Sequence, residues 1–149
     1  FPTKDDILFA VMVEVIRFNT ARLQAACDQY PEPLARLEAL IRAELKSIIG
    51  DTSEAMSVLV YEWRCLSPER QQEVLAMRAV YEQLWIDCLE ALRQQGLLED
   101  DPFVIRRLIT GMASWTNTWF DEHGSLSLEA LAHIIVRRVI GEPRDTGAV

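Results

Sequence analysis

Between Asp101 and Phe120 the chain carries two apolar stripes on what reads as a single helix. Ile105, Leu108, Met112, Trp115 and Trp119 recur at steps of three and four, the signature of one helical face. Ile109, Ala113, Thr116 and Phe120 form a second, smaller apolar face on roughly the opposite side. No charged side chain interrupts the run between Arg107 and Asp121. Asp101 suits the capping position, and Pro102 the first turn, where a missing N–H removes no hydrogen bond. A helix apolar on both sides must be covered on both. The rest of the chain is expected to supply one cover and a second copy the other. Gly111 sits in mid-helix at a cost of up to ~1 kcal/mol against alanine, so a neighbouring helix or a ligand is expected to approach the backbone there.

The remaining segments also read as helices. Thr3 caps a helix opening with Lys4-Asp5-Asp6, whose acids suit the positive end of the dipole. Its apolar face runs through Leu8, Val11, Met12, Val15, Ile16 and Leu23 to about Cys27, and Pro31 and Pro33 stop it. Leu34, Leu37, Ile41, Leu45 and Ile48 predict a second helix ending at Gly50. Asp51-Thr52-Ser53 opens a third, carrying Met56, Leu59, Val60 and Trp63. Ser67 caps and Pro68 begins a long fourth helix to about Gln95, with Val74, Met77, Tyr81, Leu84, Cys88 and Leu92 in register and Trp85 beside them. Ser127 then starts a last helix with Leu128, Leu131, Ile135 and Val139 on one face, closed by Gly141-Glu142-Pro143. About six helices and no strand pattern predict an all-α chain, and residues 1–149 read as one domain.

Composition narrows the function classes. A hydrophobic share of 50% with 26% charged residues describes a globular chain. No apolar run approaches the ~20 residues of a membrane span, and no secretory signal is visible. No membrane partner is therefore expected. Cys27, Cys65 and Cys88 are odd in number and lie singly in helical patterns, which fits reduced, buried thiols of a cytoplasmic protein. A net charge of −8 opposes direct binding of nucleic acid.

Catalytic and metal chemistry find little support. His123 and His133 have no third ligand at metal spacing and follow no glutamate at the Glu-x-x-His interval of di-metal bundles. No nucleophile sits in a recognisable turn and no glycine-rich phosphate loop is present, so neither an enzyme nor a cofactor is expected.

Three stretches together carry a family resemblance. Phe1-Pro2-Thr3-Lys4-Asp5-Asp6-Ile7-Leu8 resembles the junction between DNA-binding head and regulatory core in TetR-type transcriptional repressors. Leu66-Ser67-Pro68-Glu69-Arg70, with Arg78 and Tyr81, is similar to the start of that family's long central helix. Gly111-Met112-Ala113-Ser114-Trp115-Thr116 with Trp119-Phe120, then Gly124-Ser125-Leu126-Ser127-Leu128-Glu129, resembles its last two helices. The resemblance is strongest to a branch that includes regulators responding to acyl-CoA thioesters. The helix-turn-helix head that should come before residue 1 is absent from these residues. Operator DNA is therefore expected as a partner only of the intact protein, through that missing domain.

The resemblance implies a ligand-sensing, homodimerising core. Met12, Ile16, Met56, Leu59, Trp63, Tyr81, Trp85, Met112, Trp115 and Thr116 are the expected pocket residues, with Asn117 as a further polar group. The residue types imply an apolar effector, and the branch implies an acyl-CoA thioester whose phosphates Arg78, Arg106 or Arg107 would meet. Ile109, Ala113, Phe120, Leu128, Leu131, Ile135 and Val139 are the expected dimer contacts, in a four-helix bundle of the last two helices from each copy. A helical interaction module without a small-molecule ligand is the competing reading, and a small bundle enzyme is the third.

Overall fold

The structure, a computed structural model, describes residues 2–50, Glu54, Ser57 and 61–141. These form five α-helices: α1 (Lys4–Gln29), α2 (Pro33–Ile49), α3 (Pro68–Gln94), α4 (Pro102–Trp115) and α5 (Leu128–Ile140). Two short 3-10 turns, Trp63–Cys65 and Thr116–Thr118, join them, and no strand occurs among the described residues. Most of the helix expected after Asp51 lies outside the described residues, including Met56, Leu59 and Val60.

Local chemistry accounts for the helix starts. Thr3 and Asp6 make a reciprocal capping box, with the Asp6 N–H donating to Thr3 Oγ1 at 3.1 Å and the Thr3 N–H to Asp6 Oδ2 at 2.8 Å. Glu32, Ser67, Asp101 and Ser127 each accept a hydrogen bond from a backbone N–H in the first turn of the helix they precede. α4 is shorter than the apolar pattern suggested. Thr116 Oγ1 donates to the Ala113 carbonyl at 2.5 Å and Thr118 Oγ1 to that of Trp115 at 2.7 Å. Hydroxyls bonding back to the preceding turn compete with the helical ladder and tighten the end into 3-10 form.

The central element is α2, not the Asp101–Phe120 stretch. It packs against all four other helices. Leu37, Leu40, Ile41 and Leu45 are fully buried in a core shared with Trp85, Leu89 and Leu92 of α3, Ile109 and Ala113 of α4, and Leu131 and Ile135 of α5. A second, smaller cluster holds Leu8, Met12, Val15 and Ile16 of α1 against Leu66 and Val74. The N-terminal half of α1 is thus anchored apart from the main core.

A polar clasp fastens that half. The Arg70 guanidinium donates to Asp5 and, at 2.6 Å, to Asp6 Oδ1, while the Ser67 N–H donates to Asp5 Oδ1 at 3.1 Å. The backbone bond from Thr3, followed by the bonds from Arg70 and the Thr3 hydroxyl, lowers the Asp6 pKa from 3.8 to about 2. A carboxylate whose pKa is depressed on folding stabilises the native state above its unfolded pKa, and that stability is lost as pH falls through the folded value. Asp6→Asn should therefore remove part of the acid dependence of stability between pH 4 and 2. Urea titrations at stepped pH would measure it. Equal slopes for parent and variant would show that Asp6 is uncoupled from folding.

The buried face of α4 draws on both stripes, with Ile105 and Met112 from one and Ile109 and Ala113 from the other, which departs from the dimer expectation. Ile109 and Ala113 are fully buried in the chain's own core, as are Leu131 at 5% and Ile135 at 4% exposure. Phe120, Leu128 and Val139 pack half-buried against the same core. None of the first four is available to a second copy. The outward stripe is Val104, Leu108, Gly111 and Trp115, with Leu108 56% and Trp115 68% exposed. A Cβ at Gly111 would meet nothing within 4 Å, so no other part of the described chain approaches that backbone.

The cysteines also differ from expectation. All three are free, but Cys65 is exposed and Cys27 half-buried. Only Cys88 is fully buried, and burial pushes its thiol pKa up to about 12, which marks it as unreactive.

Candidate functional site

A cavity of about 440 Å³ opens where α1, α2, α3 and α4 meet. Ile16 and Asn19 of α1 form one wall, and Glu44 and Ile48 of α2 another. Arg78, Tyr81 and Glu82 come from α3, and Arg106, Thr110 and Ser114 from α4, with Asn117 just beyond its end. Ser57, Tyr61 and Trp63 also line it. Ile16 and Trp63 belong to the small cluster, whereas Tyr81 and Ile48 pack on the main core. The cavity is therefore bounded by members of both.

Its inner wall is a charged cluster. Arg106, 5% exposed, donates from Nη1 and Nη2 to the two oxygens of Glu44 at 2.9 and 2.7 Å. Its Nε and Nη2 reach the two oxygens of Glu82 at 2.6 and 3.0 Å. The Tyr81 hydroxyl donates to Glu44 Oε1 at 3.1 Å, and the Arg106 guanidinium lies 4.2 Å from the ring centre of Trp85. Burial works against the Arg106 charge, but the bonds to Glu44 and Glu82 outweigh it and raise the pKa. Burial, followed by the Glu44 charge, raises Tyr81 well above a phenol's usual value. Arg106 therefore stays charged and Tyr81 neutral at neutral pH.

The expected pocket residues divide. Ile16, Trp63 and Tyr81 line the cavity, as does Asn117. Met12 is fully buried in the small cluster, and Trp85 lies in the main core beneath Arg106. Thr116 spends its hydroxyl on the Ala113 carbonyl, and Met112 packs half-buried on the core. Trp115, 68% exposed, lies on the outward stripe of α4, because its helical position is set by Leu108 and Gly111 rather than by Ile109. Met56 and Leu59 lie outside the described residues.

Among the arginines, Arg106 is engaged by two carboxylates and Arg107 bonds the Phe103 carbonyl. Arg78 remains, exposed on the cavity wall. The polar wall itself escaped the sequence reading. Its signal was Glu44, interrupting the Leu37–Ile41–Leu45–Ile48 stripe, and Arg106, flanked by Ile105 and Ile109. Opposite charges at two apolar stripes are candidates for one another.

Residues 30–141 match the family described as tetracyclin repressor-like, C-terminal domain. No curated protein matches the chain. Among solved structures, one described as superantigen PfiT is 48% identical, with a TM-score of 0.86, over 95% of this chain and 75% of that one. AibR in complex with isovaleryl coenzyme A and operator DNA is 24% identical, with a TM-score of 0.79, over 93% of this chain and 75% of that one. The ketosteroid transcriptional regulator KstR2 of Mycobacterium tuberculosis is 20% identical, with a TM-score of 0.77, over 94% and 74%. At such identities the last two relate the fold alone.

Proposed function

We propose that this chain, which belongs to the TetR-like C-terminal domain family, is the effector-sensing and dimerising part of a transcriptional repressor. The cavity carries this reading. Its volume falls within the range of small-molecule sites, and Ile16, Ile48 and Trp63 give it apolar wall beside the polar cluster. α1, which would carry a DNA-binding head in an intact protein, contributes Ile16 and Asn19 to the lining. The N-terminal half of α1 rests on its own small cluster, so a ligand that prefers one of two seatings of α1 would couple cavity to head.

An acyl-CoA thioester remains the effector class we favour. The volume suits a compact acyl group with the nucleotide outside, where Arg78 would meet phosphate. AibR, described in complex with isovaleryl coenzyme A, supplies a precedent on the same fold. Thermal unfolding with a panel of short acyl-CoAs and free fatty acids tests the proposal. A ligand at 100 times its Kd should stabilise the chain by about 2.7 kcal/mol, roughly 5–10 °C in Tm. Ile48→Trp, which fills the cavity, should abolish that shift. No response from the parent would overturn the ligand class, and an equal response from Ile48→Trp would move the site elsewhere.

The 48% identity to a structure described as a superantigen favours a second reading, a helical module that engages a protein partner. Stabilisation by small molecules would argue against it.

A further inference from the structure

The cluster lining the cavity is unbalanced. Two carboxylates, Glu44 and Glu82, share the single guanidinium of Arg106, so this cluster of three carries one net negative charge, with Glu44 buried and Glu82 half-exposed. Its hydrogen-bonding capacity is unequal in the same sense. Arg106 commits Nε, both protons of Nη2 and one of Nη1, and Tyr81 commits its hydroxyl proton. Carboxylate oxygens accept about two hydrogen bonds each, so Glu82 retains a free position on each oxygen and Glu44 one on Oε2. Glu82 is also the open member, its side chain 39% exposed against 9% for Glu44. A plain alkyl end placed against this wall would strip water from acceptors and return nothing.

Arg78 fixes the polarity of the site. It stands one helical turn from Glu82 on α3, about 6 Å along the axis, and no ion pair involves it among the described residues. The described lining thus sets an exposed cation, Arg78, near a net anionic, acceptor-rich cluster whose buried member is Glu44. Ile16, Ile48 and Trp63 lie in the apolar stretch of the lining.

We propose that the cavity selects effectors whose buried end is an ammonium group, received by Glu82 and Glu44, on a short apolar body. This rests on the effector-cavity reading above and narrows it: an acyl effector would carry an amine at its far end. A hydroxyl satisfies the acceptors without the charge and ranks second. A carboxylate meets the net negative charge and ranks last.

Three probes of equal length, hexylamine, 1-hexanol and hexanoate, separate these terms. Titrated into the whole chain at neutral pH, with the Trp63 indole and Thr110 amide resonances followed by NMR, they should bind in that order. Hexylamine should exceed hexanoate by about tenfold, the scale of one close charge pair at a partly screened site. Glu82→Gln, at a half-exposed position, should reduce the advantage to about threefold or less. Should that variant fail to fold, the ranking in the parent still decides. Hexanoate or hexanol binding as tightly as hexylamine, with Trp63 and Thr110 responding, would overturn the ammonium preference and leave the effector cavity standing. If none of the probes and none of the acyl-CoAs moves these resonances, the cavity reading falls and this inference with it.

Discussion

Arg106→Ala should lower the stability of the chain by about 3–5 kcal/mol, the range seen when one partner of a buried ion pair is removed. In a chain of this size that corresponds to a fall in Tm of roughly 6–20 °C. The loss comes less from the bonds that vanish than from the charge left behind. Glu44 has a side chain 9% exposed and would be left on the cavity wall with only the Tyr81 hydroxyl as a donor. Glu82, at 39%, can turn to water and contributes less. The comparison that isolates this cause is a compensated variant. Arg106→Met with Glu44→Leu removes guanidinium and buried carboxylate together and should recover most of the lost stability, because apolar replacement of a buried pair is often neutral. Urea unfolding of the three proteins would measure it. A single-variant loss below about 1 kcal/mol would mean that water reaches Glu44 freely, and the inner wall of the cavity would need a different description.

Leu108→Glu should turn a dimer into a monomer while leaving the fold of each chain intact. The outward stripe of α4 presents Val104, Leu108 and Trp115 at 49, 56 and 68% exposure around Gly111. A patch of that kind on a helix is expected to be covered. Two copies meeting about a two-fold axis would bury it against itself, with α5 alongside. Gly111, where a Cβ would meet nothing within 4 Å, leaves room for a second helix to come close. A glutamate at the centre of such an interface would be desolvated on association and should raise the dimer Kd by at least about a hundredfold. Ile109→Glu is the informative contrast. Ile109 lies one residue further on but is fully buried in the chain's own core, so a charge there should unfold the chain rather than dissociate it. Sedimentation velocity at micromolar concentration, with circular dichroism for folding, distinguishes the two. A parent that sediments as a monomer, or a Leu108→Glu variant that dimerises as tightly as the parent, would refute the assignment of this face.

Both variants lie on the helix whose pattern was easiest to read, and they show where the pattern stops being informative. The helix starts were legible because capping chemistry is local. Thr3, Ser67, Asp101 and Ser127 each satisfy a backbone donor within their own first turn, whatever the remainder of the chain does. The all-α character followed from periodicity for the same reason. The early end of α4 is also local, but Thr116 and Thr118 could equally have pointed away from the preceding carbonyls, and only the observed rotamers settle it.

Which face of a helix meets which neighbour is not local. Ile105 sits on one α4 stripe and Ile109, Ala113 and Thr116 on the other, and the buried face draws on both. Two apolar stripes in a sequence do not say which is buried by the chain itself, because burial depends on where the neighbouring helices lie. The same holds for the cavity. Ile16, Trp63 and Tyr81 were identifiable as large side chains on helical faces, but Glu44, Glu82 and Arg106 lie 24 to 62 positions apart along the chain and form one site only when α2, α3 and α4 pack together. By itself, the sequence determined the five described helices, four of their caps and their order, since each rests on bonds within a few residues. The tertiary structure alone decided the centrality of α2, the outward stripe of α4 and the charged wall of the cavity, since each depends on contacts between residues that only packing brings together.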